Sequence, residues 1–224
     1  MTFSKNNRMN ILLFIAHADD ETLGVGGLLP LLKQKGHHLQ IILASDGHIK
    51  ARQHGIHNLA GFEKACAFFG IEDVHYLHLE DQYFDKYPIA EISGKALAIG
   101  IEPDVIITHT STDLNKDHRI INEAAKIIGR PKKKPVSIMG IEIANTSNWN
   151  GNTFNPNYYV DITGTIKDKL EAFSFYVNEI REFPYPYSFK GIETLAQYRG
   201  MEAGFNYAEA YQIIKLYHQH AELL

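Results

Sequence analysis

The chain has 224 residues, which at roughly 100–200 residues per domain makes one large domain or two small ones. With 45% apolar and 11% aromatic residues it can bury a substantial core, so global disorder is excluded. Its 22 basic and 26 acidic residues give a net charge of −4, which argues against nucleic-acid binding as its main role.

The longest apolar run near the N-terminus, residues 11–16, is far short of the ~20 residues that span a bilayer. A single cysteine, Cys66, allows no internal disulfide, and a cytoplasmic location is the expectation. Apolar, β-rich runs predict strands over residues 11–16, 39–44, 74–79, 105–108 and 136–143. Between them, helical patterns cover residues 23–34, 58–69, 89–99 and 118–128. Apolar strands alternating with helices predict a Rossmann-like, three-layer α/β fold with a mostly parallel sheet. After a polar loop over residues 145–156, Ile166, Leu170, Phe173, Val177 and Ile180 recur at helical spacing and predict a helix over 167–181. Pro184 and Pro186 end it, and residues 193–203 read as another helix. No linker separates two domains. The expectation is one domain, with an α/β core over about residues 9–145 and a loop and helical extension over about 146–224.

In parallel sheets, ligands bind beyond the carboxyl ends of the strands. Directly after the first predicted strand stands His17-Ala18-Asp19-Asp20-Glu21. Three consecutive acids repel one another unless a cation compensates them. His17 and Asp20 are close enough in a turn to chelate one metal, and Asp113-Leu114-Asn115-Lys116-Asp117-His118, after the fourth strand, offers a third ligand. Two histidines and a carboxylate leave a coordination position open for water, as catalytic zinc requires; ferrous iron suits the same donors.

The His-x-Asp-Asp-Glu turn, paired with Thr108-His109 and the later Asp-His, resembles the PIG-L/LmbE-like family of zinc-dependent de-N-acetylases. Ser45-Asp46-Gly47, residues 158–163, Arg199-Gly200 and Tyr207-Ala208-Glu209-Ala210 are similar to it as well. The resemblance implies that His17, Asp20 and His118 hold Zn2+ and that Asp19 is the general base. It implies a hydrolase that removes an N-acetyl group from an amino sugar, small or carrier-linked, through metal-activated water. The chain is compatible with a homo-oligomer.

Three positions depart from the family's pattern. Ala18 stands where proline is common, and Asn58 and Gly61 replace an Arg-x-x-Glu pair. Asn115 replaces a histidine three residues before the ligand histidine; it can donate a hydrogen bond to an oxyanion but supplies no proton. The acid role then falls to Asp19, or to His109 if that residue faces the site. Asp117 reads as an orienting or capping residue. Asp46, Arg52 and Trp149 are candidate substrate contacts, the last by stacking on a sugar. The competing readings are an O-deacetylase and a nucleotide- or sugar-binding module without hydrolase activity. For the nucleotide reading, Gly24, Gly26 and Gly27 follow the first strand, but Leu29 stands where the third fingerprint glycine belongs.

Overall fold

A strand whose side chains are apolar on both faces is stable only where both faces are covered. In the computed structural model of the chain, which describes residues 8–45, 58–131, 134–149, 151 and 153–217, this is the situation of β1 (Asn10–Ile15). It pairs in parallel with β2 (His38–Ser45) on one side and β4 (Val105–Thr108) on the other, Leu13 facing Ile41 and Ile107. With β3 (Asp73–Leu79) and β5 (Ser137–Ile141) these form a parallel sheet. Ile11, Leu13 and Ile15 point into one core with Phe62, Phe69, Phe173 and Tyr211, and Leu12, Phe14 and Ala16 into another with Ile92, Ile121 and Ala125. Helices α4 (Ile89–Ala98) and α5 (Lys116–Ile128) cover the second face, and α1 (Asp20–Val25), α2 (Leu28–Gln34), α3 (Leu59–Phe69), α6 (Ile166–Phe173) and α7 (Phe189–Ala203) lie on the first. The expected three-layer, mostly parallel α/β fold is present. Among the described residues no helix is long and apolar enough to cross a membrane.

The C-terminal third holds more than the expected helices. β6 (Tyr158–Asp161) and β7 (Ala208–Lys215) join the same sheet antiparallel, giving seven strands in the order β3-β2-β1-β4-β5-β7-β6. The four residues of β6 are too few for a period to show, and β7 carries Glu209 among buried neighbours. Two helices also differ from expectation. The helix expected over 23–34 starts at Asp20 and divides at Gly26-Gly27, where a Cβ on Gly27 would lie 2.8 Å from Ile162. The helix expected over 167–181 stops at Phe173.

Glu209 ties this third to the first. Its Oε1 accepts from Gly27 N at 2.8 Å and Lys169 Nζ at 2.6 Å, and its Oε2 accepts from Leu28 N at 2.9 Å and Tyr211 Oη at 2.6 Å. Lys169 also donates to Leu23 O at 2.8 Å. The junction of α1 and α2 is thereby clamped to β7. Removing one member of a buried ion pair leaves its partner uncompensated, so Glu209→Ala should lower stability by about 3–5 kcal/mol. Urea denaturation followed by circular dichroism measures this. A loss below about 1 kcal/mol, the range of an exposed pair, would show that the clamp is dispensable.

Candidate active site

Reversal of strand order between β1 and β4 opens a crevice at their carboxyl ends, the place where α/β sheets bind ligands. The chain leaves β1 through His17 and Ala18 and turns sharply at Asp19, whose φ of 135° is one that L-residues rarely adopt. The turn is held by Asp19 O, which accepts from Thr22 N and Leu23 N at 3.0 and 2.9 Å. Glu21 Oε2 accepts from Asp19 N at 3.2 Å, while its Oε1 accepts from Thr22 Oγ1 at 2.6 Å and from Tyr176 Oη. Burial pushes the Glu21 carboxyl up to about 7 against these hydrogen bonds. Glu21 thus locks the turn from behind.

This turn and the start of α5 bring His17, Asp20 and His118 together. His17 Nδ1 and His118 Nε2 are 3.1 Å apart, His118 Nε2 is 3.5 Å from Asp20 Oδ1, and His17 Nδ1 is 3.8 Å from Asp20 Oδ2. Donors bound about 2.1 Å from a tetrahedral zinc stand about 3.4 Å from one another, so the three fit such an ion. The other ring nitrogen of each histidine faces a carboxylate. His17 Nε2 lies 3.2 Å from Asp117 Oδ2 and 3.4 Å from Asp81 Oδ1, and His118 Nδ1 lies 3.2 Å from Asp113 Oδ2. Histidines that bind metal are commonly oriented by carboxylates in this way. Those carboxylates are themselves fixed: Asp117 by Gln82 N at 2.7 Å and Phe84 N at 3.1 Å, Asp113 by Thr146 Oγ1 at 2.9 Å and Ser147 Oγ at 3.1 Å. Burial alone would lower the pKa of His17, but Asp117, Asp81 and Asp20 outweigh it and push it up to about 9. Burial likewise opposes ionisation of Asp20, yet His109, His118 and His17 hold its carboxyl below the usual range. The pocket favours a cation.

A cleft of about 150 Å³ opens over these donors. Asp19 lines it, with Asn58, Asp81, Gln82, Asn115 and Glu179 on its walls. Burial, followed by the charges of Asp20, Glu179, Glu21 and Asp81, holds the Asp19 carboxyl well above the usual range, which suits a proton acceptor that must also release its proton. Asn115 caps α5, its Oδ1 accepting from Asp117 N at 2.9 Å.

His109, an expected acid if it faced the site, is not among the residues that line the cleft. It is buried behind His118, stacked on that ring at a centroid distance of 3.9 Å, with Nε2 3.0 Å from Ala16 N and 3.2 Å from Asp20 Oδ2. It therefore positions Asp20. Trp149 is 70% exposed and outside the cleft lining. Asp46 and Arg52 lie outside the described residues. Sequence reasoning missed Asp81 and Gln82, although both follow β3 as His17 follows β1, and it missed Glu179 and Tyr187, which sit in the predicted helix and beyond its proline stop. The dinucleotide reading fails on charge. The N–H groups of Gly27 and Leu28, which would meet a pyrophosphate, are occupied by the Glu209 carboxylate.

The sequence pattern of a family described as PIG-L, GlcNAc-PI de-N-acetylase, matches residues 12–128. A diacetylchitobiose deacetylase from Thermococcus kodakarensis is 23% identical over 239 aligned positions, covering 93% of this chain and 84% of that protein. The N,N'-diacetylchitobiose deacetylase of Pyrococcus horikoshii shares the fold with a TM-score of 0.74 at 19% identity, over 96% of this chain and 88% of that one. So does GalB, the 4-carboxy-2-hydroxymuconate hydratase of Pseudomonas putida KT2440, with a TM-score of 0.71 at 17% identity, over 95% of this chain and 99% of that one.

The strained turn has a measurable cost. A non-glycine residue in so sparsely populated a conformation loses about 1–3 kcal/mol, of which glycine's greater freedom in the unfolded chain takes back about 0.5–1. Asp19→Gly should therefore raise the stability of the metal-free protein by about 1–2 kcal/mol. A urea midpoint below that of the wild type would show that the Asp19 side chain stabilises the turn more than its backbone strains it.

Proposed function

We propose the function of this chain from one premise: it belongs to the PIG-L family of GlcNAc-PI de-N-acetylases, whose pattern spans residues 12–128. As a member it is a deacetylase, a hydrolase of carbon–nitrogen amide bonds in N-acetylated sugar-type substrates. We infer that it removes the acetyl group from an N-acetylated amino sugar or its conjugate, in the cytoplasm, as a metal-dependent enzyme. The observation that carries this reading is the convergence of His17 Nδ1, Asp20 and His118 Nε2 beneath a cleft that Asp19 also lines.

Mechanism follows from the residues in place. Zinc held by His17, Asp20 and His118 would supply a water acidified to about pKa 7 and a Lewis acid for the acyl oxygen. Asp19 accepts a proton from the water as its oxygen attacks the acetamide carbon, and later passes that proton to the departing amine nitrogen. The products are acetate and the free amino sugar. Because Asn115 Oδ1 is committed to Asp117 N, its Nδ2 is a donor that the cleft can offer to the developing oxyanion. His109 and the carboxylates behind the histidines keep the donors oriented.

His17→Ala, Asp20→Ala and His118→Ala should each abolish stoichiometric metal without unfolding the protein. Elemental analysis after purification without added metal reads this, and also decides between zinc and iron. Full occupancy in all three variants would place the metal elsewhere. Asp19→Asn should keep the metal but lower kcat by about 10²–10⁴-fold on an N-acetylated amino sugar, since an amide accepts no proton. A near-normal kcat would remove Asp19 as the base.

A further inference from the structure

Helix α6 ends at Phe173 although apolar residues continue at helical spacing to Ile180. The outcome inverts the usual preference: Val177 is 71% exposed, while Glu179 is 8% exposed. An exposed valine costs little, but a buried carboxylate is unfavourable unless it is hydrogen-bonded. A second local preference is broken across the cleft. Asn58 stands at the start of α3, where an asparagine side chain usually accepts a backbone N–H and contributes roughly 1 kcal/mol. Here it makes no such bond; its Nδ2 donates to Glu179 Oε1 at 3.0 Å. Both residues line the cleft together with Asp19, Asn115 and His118. Local rules broken together at one place mark a position held for function.

We propose that Glu179, oriented by Asn58, is the residue that recognises the sugar: its carboxylate accepts hydrogen bonds from ring hydroxyls of the substrate and so sets the acetamido group against Asp19. The proposal rests on the amino-sugar reading above. An ionised carboxylate is acceptor-only, with two oxygens that match neighbouring hydroxyls, and its charge strengthens each bond. The amide of Asn58 holds that carboxylate in place and keeps an acceptor oxygen of its own at the cleft wall. The role is recognition, exercised through the substrate's placement, and a comparison of two substrates separates it from the charge that Glu179 presents to Asp19.

The test is steady-state kinetics of wild type, Glu179→Ala, Glu179→Gln and Asn58→Ala on two acetamides. One is N,N'-diacetylchitobiose; the other is N-acetylcyclohexylamine, whose ring has no hydroxyls. Loss of a hydrogen bond to a charged group corresponds to about a 10–100-fold change. Glu179→Ala should raise KM for the sugar by about that factor, while the loss of its charge beside Asp19 alters kcat by the same factor on both substrates. Glu179→Gln and Asn58→Ala should move KM for the sugar the same way by less, while KM for N-acetylcyclohexylamine stays unchanged in all three. Calorimetric affinity for the de-N-acetylated disaccharide product should weaken in parallel, and metal content should remain at the wild-type level. An equal loss of kcat/KM on both substrates would overturn the proposal, placing Glu179 in support of Asp19 or of the fold. So would an unchanged KM in all variants of an enzyme that does cleave the sugar. A wild-type enzyme that leaves the sugar intact would overturn the amino-sugar reading and the proposal with it.

Discussion

Around the carboxyl end of β1 the fold buries Asp19, Asp20, Glu21, Asp81, Asp113, Asp117 and Glu179 within a few residues' reach of one another. Carboxylates removed from water repel strongly, because the surroundings no longer screen them. Three histidines, a set of backbone N–H groups and short-range hydroxyl donors offset part of that charge. A divalent cation held by His17, Asp20 and His118 would offset much of the rest. Most of what is unusual here follows from that constraint: paired carboxylates behind each histidine, a raised His17, and an Asp19 that ionises reluctantly.

The arrangement needs a rigid frame, since two imidazoles and a carboxylate must converge to within a few tenths of an ångström. Rigidity comes from both halves of the chain. Asn115 starts α5 by capping it, which fixes the direction from which His118 enters. Tyr176, from the segment after α6, braces Glu21 behind the Asp19 turn. The Lys169–Glu209 clamp holds the helices that follow the turn against β7. Residues far from the cleft thus set the angles of the donors within it.

Much of this was legible from local signals. The run over residues 11–16 is apolar on both faces and is followed at once by acids, so strand, strand end and site coincide in a few residues. His118 stood out because its segment repeats that pattern after β4. What was not legible depends on distant partners. The direction of His109 is decided by Asp20 and the Ala16 N–H, ninety residues away in the chain. The halt of α6 at Phe173 contradicts its own apolar period, and nothing nearby in sequence announces it. Strands β6 and β7 are short or mixed in polarity and exist because the edge of β5 offers β7 a partner and β7 in turn offers one to β6. Asp81 followed the strand-end rule and was missed because the Glu80-Asp81 pair after β3 reads as ordinary solvated turn acids.

The division of labour along the chain has an evolutionary reading. His17, Asp19, Asp20 and His118 all fall within residues 12–128, whereas Asn145, Thr146, Glu179 and Tyr187 come from the segment that follows. That later segment enters the sheet through antiparallel strands added beyond β5, outside the parallel β3-β2-β1-β4-β5 order. Within it, Thr146 and Ser147 hold Asp113 behind His118 and Tyr176 braces Glu21, so these positions are tied to the donors, while other positions of the segment that line the cleft can change without moving them. A lineage can diversify its clientele by rewriting those positions, provided the braces behind the hydrolytic engine are kept.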